Sequence, residues 1–79
     1  MTQYIVIEQR IDDGMVLKCH GVRNSYDSAL GKLFRCILNK YNFKNKIEQE
    51  DLGRDNLTDI IDSFVVDDRI RFFILSFGS

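Results

Sequence analysis

The stretch from Arg69 to Phe77 constrains this chain more than any other, because it is apolar on both faces at once. Ile70, Phe72 and Ile74 alternate with Phe73, Leu75 and Phe77, and a strand sends successive side chains to opposite faces of its sheet. A strand that is apolar on both sides belongs in the middle of a sheet, with its faces covered. The rest of the chain must supply the neighbours and the cover.

The N-terminal 23 residues read as a β-hairpin, residues 4–11 and 15–23, around Asp12-Asp13-Gly14. Ile5, Ile7, Ile11, Met15, Leu17 and Cys19 are all odd-numbered, the period of a half-buried strand. A three-residue loop over Asp12, Asp13 and Gly14 keeps them on one face. It pairs Ile11 with Met15, Gln9 with Leu17 and Ile7 with Cys19, and sets Glu8 opposite Lys18. Gly14 supplies the left-handed residue that such loops need. This parity predicts the odd positions under the helices and Tyr4, Val6, Val16, His20 and Val22 on the back of the sheet.

A helix is expected from Asn24-Ser25, where either residue can cap and Asp27 suits the positive end of the dipole. Leu30, Leu33, Phe34, Ile37, Leu38 and Tyr41 form its apolar stripe, and it should fray near Tyr41-Asn42. Gly31 inside this run suggests a close approach to the sheet. Phe43 and Ile47 are expected to tuck in, and Gly53 to mark a turn. Leu57, Ile60, Ile61 and Phe64 then predict a second, shorter helix from about Asn56 to Phe64, with Asp55, Asp59 and Asp62 on its far side. Asp67-Asp68 turns the chain into the last strand. The expected fold is α+β, one domain over residues 1–79. It has a three-stranded sheet with two helices on one face, in the order ββααβ, and the last strand lies beside the first in the spatial order 2-1-3.

The composition, 44% hydrophobic and 29% charged, is that of a folded chain with material for one core. A charge within the first ten residues and the lack of an 18-residue apolar run argue against a signal peptide and a membrane helix. Cys19 and Cys36 form no CxxC pair, which favours a reducing, cytoplasmic location. Asn56-Leu57-Thr58 matches a glycosylation acceptor, a match without meaning in a chain that is not secreted.

No nucleotide, zinc or calcium motif is present, so no cofactor or metal is expected. His20, the only histidine, has no nucleophile or acid placed beside it by motif, and both cysteines read as packing residues. An enzyme is therefore not expected. Charge is the main remaining signal. Lys32, Arg35, Lys40, Lys44 and Lys46 form a run without an acid, and eight acids against one base follow from Glu48 to Asp68.

These features suggest a non-enzymatic protein-binding module that occupies a partner's surface. Its expected contact residues are Tyr4, Val6, Val16, Val22, Phe73, Leu75 and Phe77, with Asp55, Asp59 and Asp62 as an acidic rim toward a partner with a basic groove. In general style, though through no motif, such a chain resembles the small inhibitors that phages and mobile elements encode against host enzymes or nucleases, anti-defence proteins among them. The alternatives are a nucleic-acid binder that uses Lys32–Lys46 and a homodimerising subunit that uses the back of the sheet.

Overall fold

The computed structural model describes residues 1–42, 44–51 and 60–78. These form β1 (Gln3–Arg10), β2 (Val16–Arg23), α1 (Tyr26–Lys40), β3 (Ile47–Gln49), β4 (Ile60–Val66) and β5 (Ile70–Phe77). The strands make one sheet in the order β2-β1-β5-β4-β3, antiparallel throughout. The doubly apolar β5 is its central strand.

Three strands and two helices are thus corrected to five strands and, among the described residues, one helix. Order 2-1-3 within three strands would have left β5 on an edge, in conflict with its composition. β5 does lie beside β1, through eight unbroken register pairs from Gln3↔Phe77 to Arg10↔Ile70. Its other edge is taken by β4, the segment expected to be helical. The i, i+3, i+4, i+7 spacing of Leu57, Ile60, Ile61 and Phe64 imitated a helix, but Phe64-Val65-Val66 is a β-forming run and β5 needs a second neighbour. A register shift between Ile60 and Asp62 lets Ile61 bulge out, so the apolar spacing is not a helical stripe. Asn56 to Thr58 and Gly53 lie outside the described residues.

The turn between β4 and β5 is tight. Asp67 and Asp68 both take positive φ, 54° and 57°, and Arg69 N–H closes the turn on the Val66 carbonyl at 3.1 Å. Two left-handed central residues make the type I′ turn whose twist suits a hairpin. Asp67 also accepts from Asn45 and from the Lys46 N–H, which ties β3's leading segment to this turn.

The first hairpin keeps the expected pairs Ile7↔Cys19 and Glu8↔Lys18, and Gly14 is left-handed as expected. Its loop is longer, because β1 ends at Arg10 and β2 starts at Val16, and Gln9 pairs with Val16 instead of Leu17. β2 carries two extra residues, and the one nearer the turn accounts for this pairing. The first shift falls near Leu17. The second falls at His20-Gly21, where Gly21 has φ 93°.

The faces are the reverse of those predicted. Val6, Phe72, Ile74 and Val66 form the core with Ala29, Leu33 and Ile37 of α1, so the even positions lie under the helix. Tyr4 packs edge-on against Tyr26 at 6.4 Å on the same side. The odd apolar residues of the hairpin were the more numerous set, but α1 packs on the face where β5 and β1 jointly offer Phe72, Ile74 and Val6. Each such fully buried side chain contributes about 1.5–3 kcal/mol by leaving water.

α1 starts at its expected cap, Ser25, whose Oγ accepts from the Ser28 N–H at 3.2 Å, and it ends at Tyr41. It lies over β2, β1 and β5. The buried stripe is Ala29, Leu33 and Ile37, rotated from the predicted one, so Phe34 and Leu38 are exposed. Phe34 instead meets the ring of Phe64 at 5.1 Å. A methyl at Gly31 would meet nothing within 4 Å, so no close approach depends on that glycine. Ile47 is exposed, and Phe43 lies outside the described residues.

This placement separates neighbouring residues of one helix. Ile37→Ala is expected to destabilise by roughly 2–5 kcal/mol through lost transfer energy and a cavity, and Leu38→Ala by under about 1 kcal/mol. Chemical denaturation of both variants checks this; equal losses would mean that the helix is rotated from the orientation described.

Candidate functional site

Two regions carry chemistry or exposed apolar surface, one on each side of the sheet. On the side away from α1, cross-strand pairing arranges side chains in rows. Val22, Ile5, Leu75 and Ile60 make one row, and Cys19, Ile7, Phe73 and Ser63 the next. Ile7 and Phe73 are buried, while Val16, Val22 and Phe77 are 50%, 48% and 41% exposed. Leu17 is exposed beside Val16, so the apolar surface concentrates along the edge strand β2. No described element packs across this side.

The next row is polar and tightly joined. Arg71 donates from Nε and Nη2 to the two carboxylate oxygens of Glu50, at 2.6 and 2.8 Å, and from Nη1 to Gln9 Oε1 at 3.1 Å. Ser63 Oγ donates to Glu50 at 2.7 Å. One bidentate pair therefore links β1, β5, β4 and the residue that follows β3. Hydrogen bonds from Arg71 hold the Glu50 carboxyl below the usual carboxylate range against the opposing effect of burial, and Ser63 adds to the lowering. The Arg71 guanidinium is raised in return.

On the helix side, the parity that buries Val6 and Phe72 also buries Glu8, which is 1% exposed. A buried carboxylate needs compensating donors. Lys40, in the last turn of α1, donates to Glu8 Oε2 at 2.5 Å, and that hydrogen bond raises the lysine's pKa. Glu8 Oε1 lies 3.1 Å from His20 Nε2. An ionised carboxylate only accepts, so Nε2 carries a proton in this contact, and in the neutral ring Nδ1 is then the acceptor. Cys36 Sγ of α1 lies 3.4 Å from that Nδ1. The ring also lies 6.2 Å from that of Phe72. Glu8, Lys18, His20, Lys32, Cys36, Asn39 and Lys40 line a cleft of about 420 Å³. The two ring nitrogens point apart, so Cys36, His20 and Glu8 stand in line and do not converge on a point where a metal would sit.

The predicted contact set divides between these sides. Val16, Val22, Phe73, Leu75 and Phe77 share the side away from α1, with Phe73 buried. Tyr4 and Val6 move under the helix. Asp62 also faces the helix side, where it accepts from the Tyr26 hydroxyl, and Asp55 and Asp59 lie outside the described residues. The described structure therefore assembles no acidic rim; Asp62 comes from a strand pairing with Ile74 and not from a helix face. Of the basic run, Lys40 and Lys46 are committed to Glu8 and Glu48, the latter at 3.2 Å, while Lys32 and Arg35 line a shallow cleft with Arg23. Sequence reasoning put His20 on the back and read Cys36 as packing. The missed signal was parity, since Glu8, Lys18 and His20 share even numbers with Val6, Phe72 and Ile74.

Among the described residues no helix is long and apolar enough to cross a membrane. Comparison with protein-family models, curated proteins and solved structures finds no match to this chain.

The Glu50–Arg71 pair makes a pH prediction. A carboxyl whose pKa falls on folding adds stability above its unfolded value, about 4.3. That contribution is lost as pH falls through the lower folded value. Glu50→Gln is therefore expected to lower the thermal midpoint at neutral pH, with the gap to the parent narrowing from about pH 5 down to about pH 2. Thermal melts across that range check it; a gap independent of pH would mean that the pair does not stabilise the fold through its charge.

Proposed function

We propose that the protein is a non-enzymatic binding module, an inhibitor or regulator that acts by covering another protein's surface with the side of its sheet opposite α1. The observation that carries this reading is the edge strand β2, where Val16, Leu17 and Val22 are exposed. Contiguous apolar surface of this kind marks contact sites on small soluble domains. Phe77 adds an aromatic anchor, and Ile5 and Leu75 are half-buried between it and Val22.

The mode of contact follows from the backbone. Two irregularities in β2 interrupt its regular ladder, and such bulges discourage the addition of a further strand. Contact by side chains from the face, with a few desolvated apolar anchors supplying most of the affinity, fits this arrangement better than β-augmentation. The two free thiols fit a reducing, cytoplasmic setting.

Val22→Lys places a charge in the proposed contact without touching the core, so it should leave the thermal midpoint within a few degrees and abolish binding. Asp27→Lys, on the exposed start of α1, serves as the control and should bind like the parent. Affinity capture with the three proteins, beside sedimentation velocity of each, reads both outcomes. A partner retained by Val22→Lys would reject this face as the interface. A dimer lost with Val22→Lys would identify the partner as a second copy.

A further inference from the structure

We infer that Cys36 is a nucleophilic thiol, operated by His20, that exchanges with an anionic low-molecular-weight disulfide in the cleft between α1 and β2. The inference is independent of the binding face, because Cys36 and His20 lie on the other side of the sheet. It rests on three features that converge at one sulfur.

The first is the line of contacts Cys36 Sγ–His20 Nδ1 at 3.4 Å and His20 Nε2–Glu8 Oε1 at 3.1 Å. A base oriented by a third group and held against a thiol is the geometry that activates a nucleophile. Glu8 is fixed from its other oxygen by Lys40, so the ring is held in the tautomer that presents a free nitrogen to the thiol. The second is the irregularity at His20-Gly21. There β2 carries an extra residue and Gly21 takes φ 93°, a local change of the kind that re-aims a neighbouring side chain. The third is the cleft, which leaves Cys36 partly exposed and is lined by Lys18 and Lys32 in addition to the committed Lys40.

The position of Cys36 within the helix selects the chemistry. Acyl transfer needs donors aimed at a developing oxyanion, usually backbone N–H groups, and those around Cys36 are engaged in the helical ladder of Tyr26–Lys40. Thiol–disulfide exchange needs no such donors. His20 Nδ1 takes the thiol proton as Cys36 Sγ attacks one sulfur of the disulfide. The new Sγ–S bond forms while the old S–S bond breaks, and the leaving thiolate takes the proton back from His20 and departs as a thiol. One disulfide is consumed and one is formed, so electrons balance without another oxidant. Lys18 and Lys32 favour a disulfide that carries carboxylates. The product is the protein mixed disulfide at Cys36, reversed by a free thiol.

Cys19 provides an internal reference, since it is exposed on the opposite side of the sheet without an imidazole beside it among the contacts described. The native protein is treated with glutathione disulfide, which is anionic, and in parallel with cystamine, which is cationic, and adducts at each cysteine are timed by peptide mass spectrometry. Cys36 is expected to react with glutathione disulfide roughly tenfold faster than Cys19, because an ordinary thiol with a pKa of about 8.5 is only a few per cent thiolate at neutral pH and a base that takes its proton raises that share. Its preference for glutathione disulfide over cystamine should exceed that of Cys19 and fall in the Lys18→Glu, Lys32→Glu double variant. His20→Gln should bring Cys36 to the rate of Cys19. Glu8 acts through the ring as a positioning residue, so Glu8→Gln, which keeps an acceptor for Nε2, should retain most of the advantage that Glu8→Leu loses. Circular dichroism identifies variants that fail to fold. If they do fail, the two cysteines of the unmodified protein decide the matter, because a Cys36 no faster than Cys19 overturns the inference. A folded His20→Gln protein that reacts like the parent also overturns it.

Discussion

The fold depends on one constraint: β5 is apolar on both faces and needs a strand along each edge, with α1 covering the face that carries Phe72 and Ile74. β1 meets it along one edge through eight consecutive pairs, which join the two ends of the described chain, residues 3–10 with 70–77. β4 meets it along the other edge. With β5 in the centre, β2 and β3 become the edges. β2 carries two irregularities, and β3 is only three residues long with Glu48 at its middle. Both are ways in which a sheet limits pairing with further strands. The closure of the sheet is non-local, whereas the hairpin, α1 and the β4–β5 turn are local, so β1–β5 pairing is the step with the largest loop-closure cost.

The same constraint decides which polar residues are buried. Covering Phe72 and Ile74 with α1 also brings Glu8 beneath it, because Glu8 pairs with Phe72 across the ladder. A carboxylate there is tolerable only with charged or hydrogen-bonding partners, and Lys40 and His20 supply them. The last turn of α1 is thereby joined to β1 and β2 by a polar contact as well as by packing. On the other side, Arg71 and Glu50 make an analogous tie across β5 and β4. The sheet is thus held by a polar clamp on each side, and the exposed apolar surface lies outside both, along β2 and at Phe77.

Much of this was legible in the residues themselves. The hairpin, the Ser25 cap and the Asp67-Asp68 turn each follow from a local signal with a strong physical cause, and the apolarity of β5 on both faces argues for a central place that the expected order 2-1-3 did not give it. The segment 60–66 misled because four apolar residues at helical spacing outweighed a β-branched run, and only the unmet edge of β5 decides between them. Parity misled for a related reason. The odd positions of the hairpin are more apolar, but the choice of covered face is made by the helix against the whole sheet, and β5 offers two equally apolar faces. The contact set inherited that error at Tyr4 and Val6, which lie on the helix side, whereas Asp62 was misplaced with the segment expected to be helical. The Cys36–His20–Glu8 line was invisible to motif reasoning, because its members come from α1, β2 and β1 and share no short spacing.

The central claim is that β5 is paired along both edges. Amide hydrogen exchange of the native protein, resolved residue by residue by NMR, tests it directly. In a strand paired on both sides, successive backbone N–H groups point alternately to two occupied neighbours, so Arg71 through Leu75 should all be protected without alternation, and more strongly than the amides of β2 and β3. An edge strand leaves every second N–H to water. Alternating fast and slow exchange from Arg71 to Leu75 would contradict the sheet order described above.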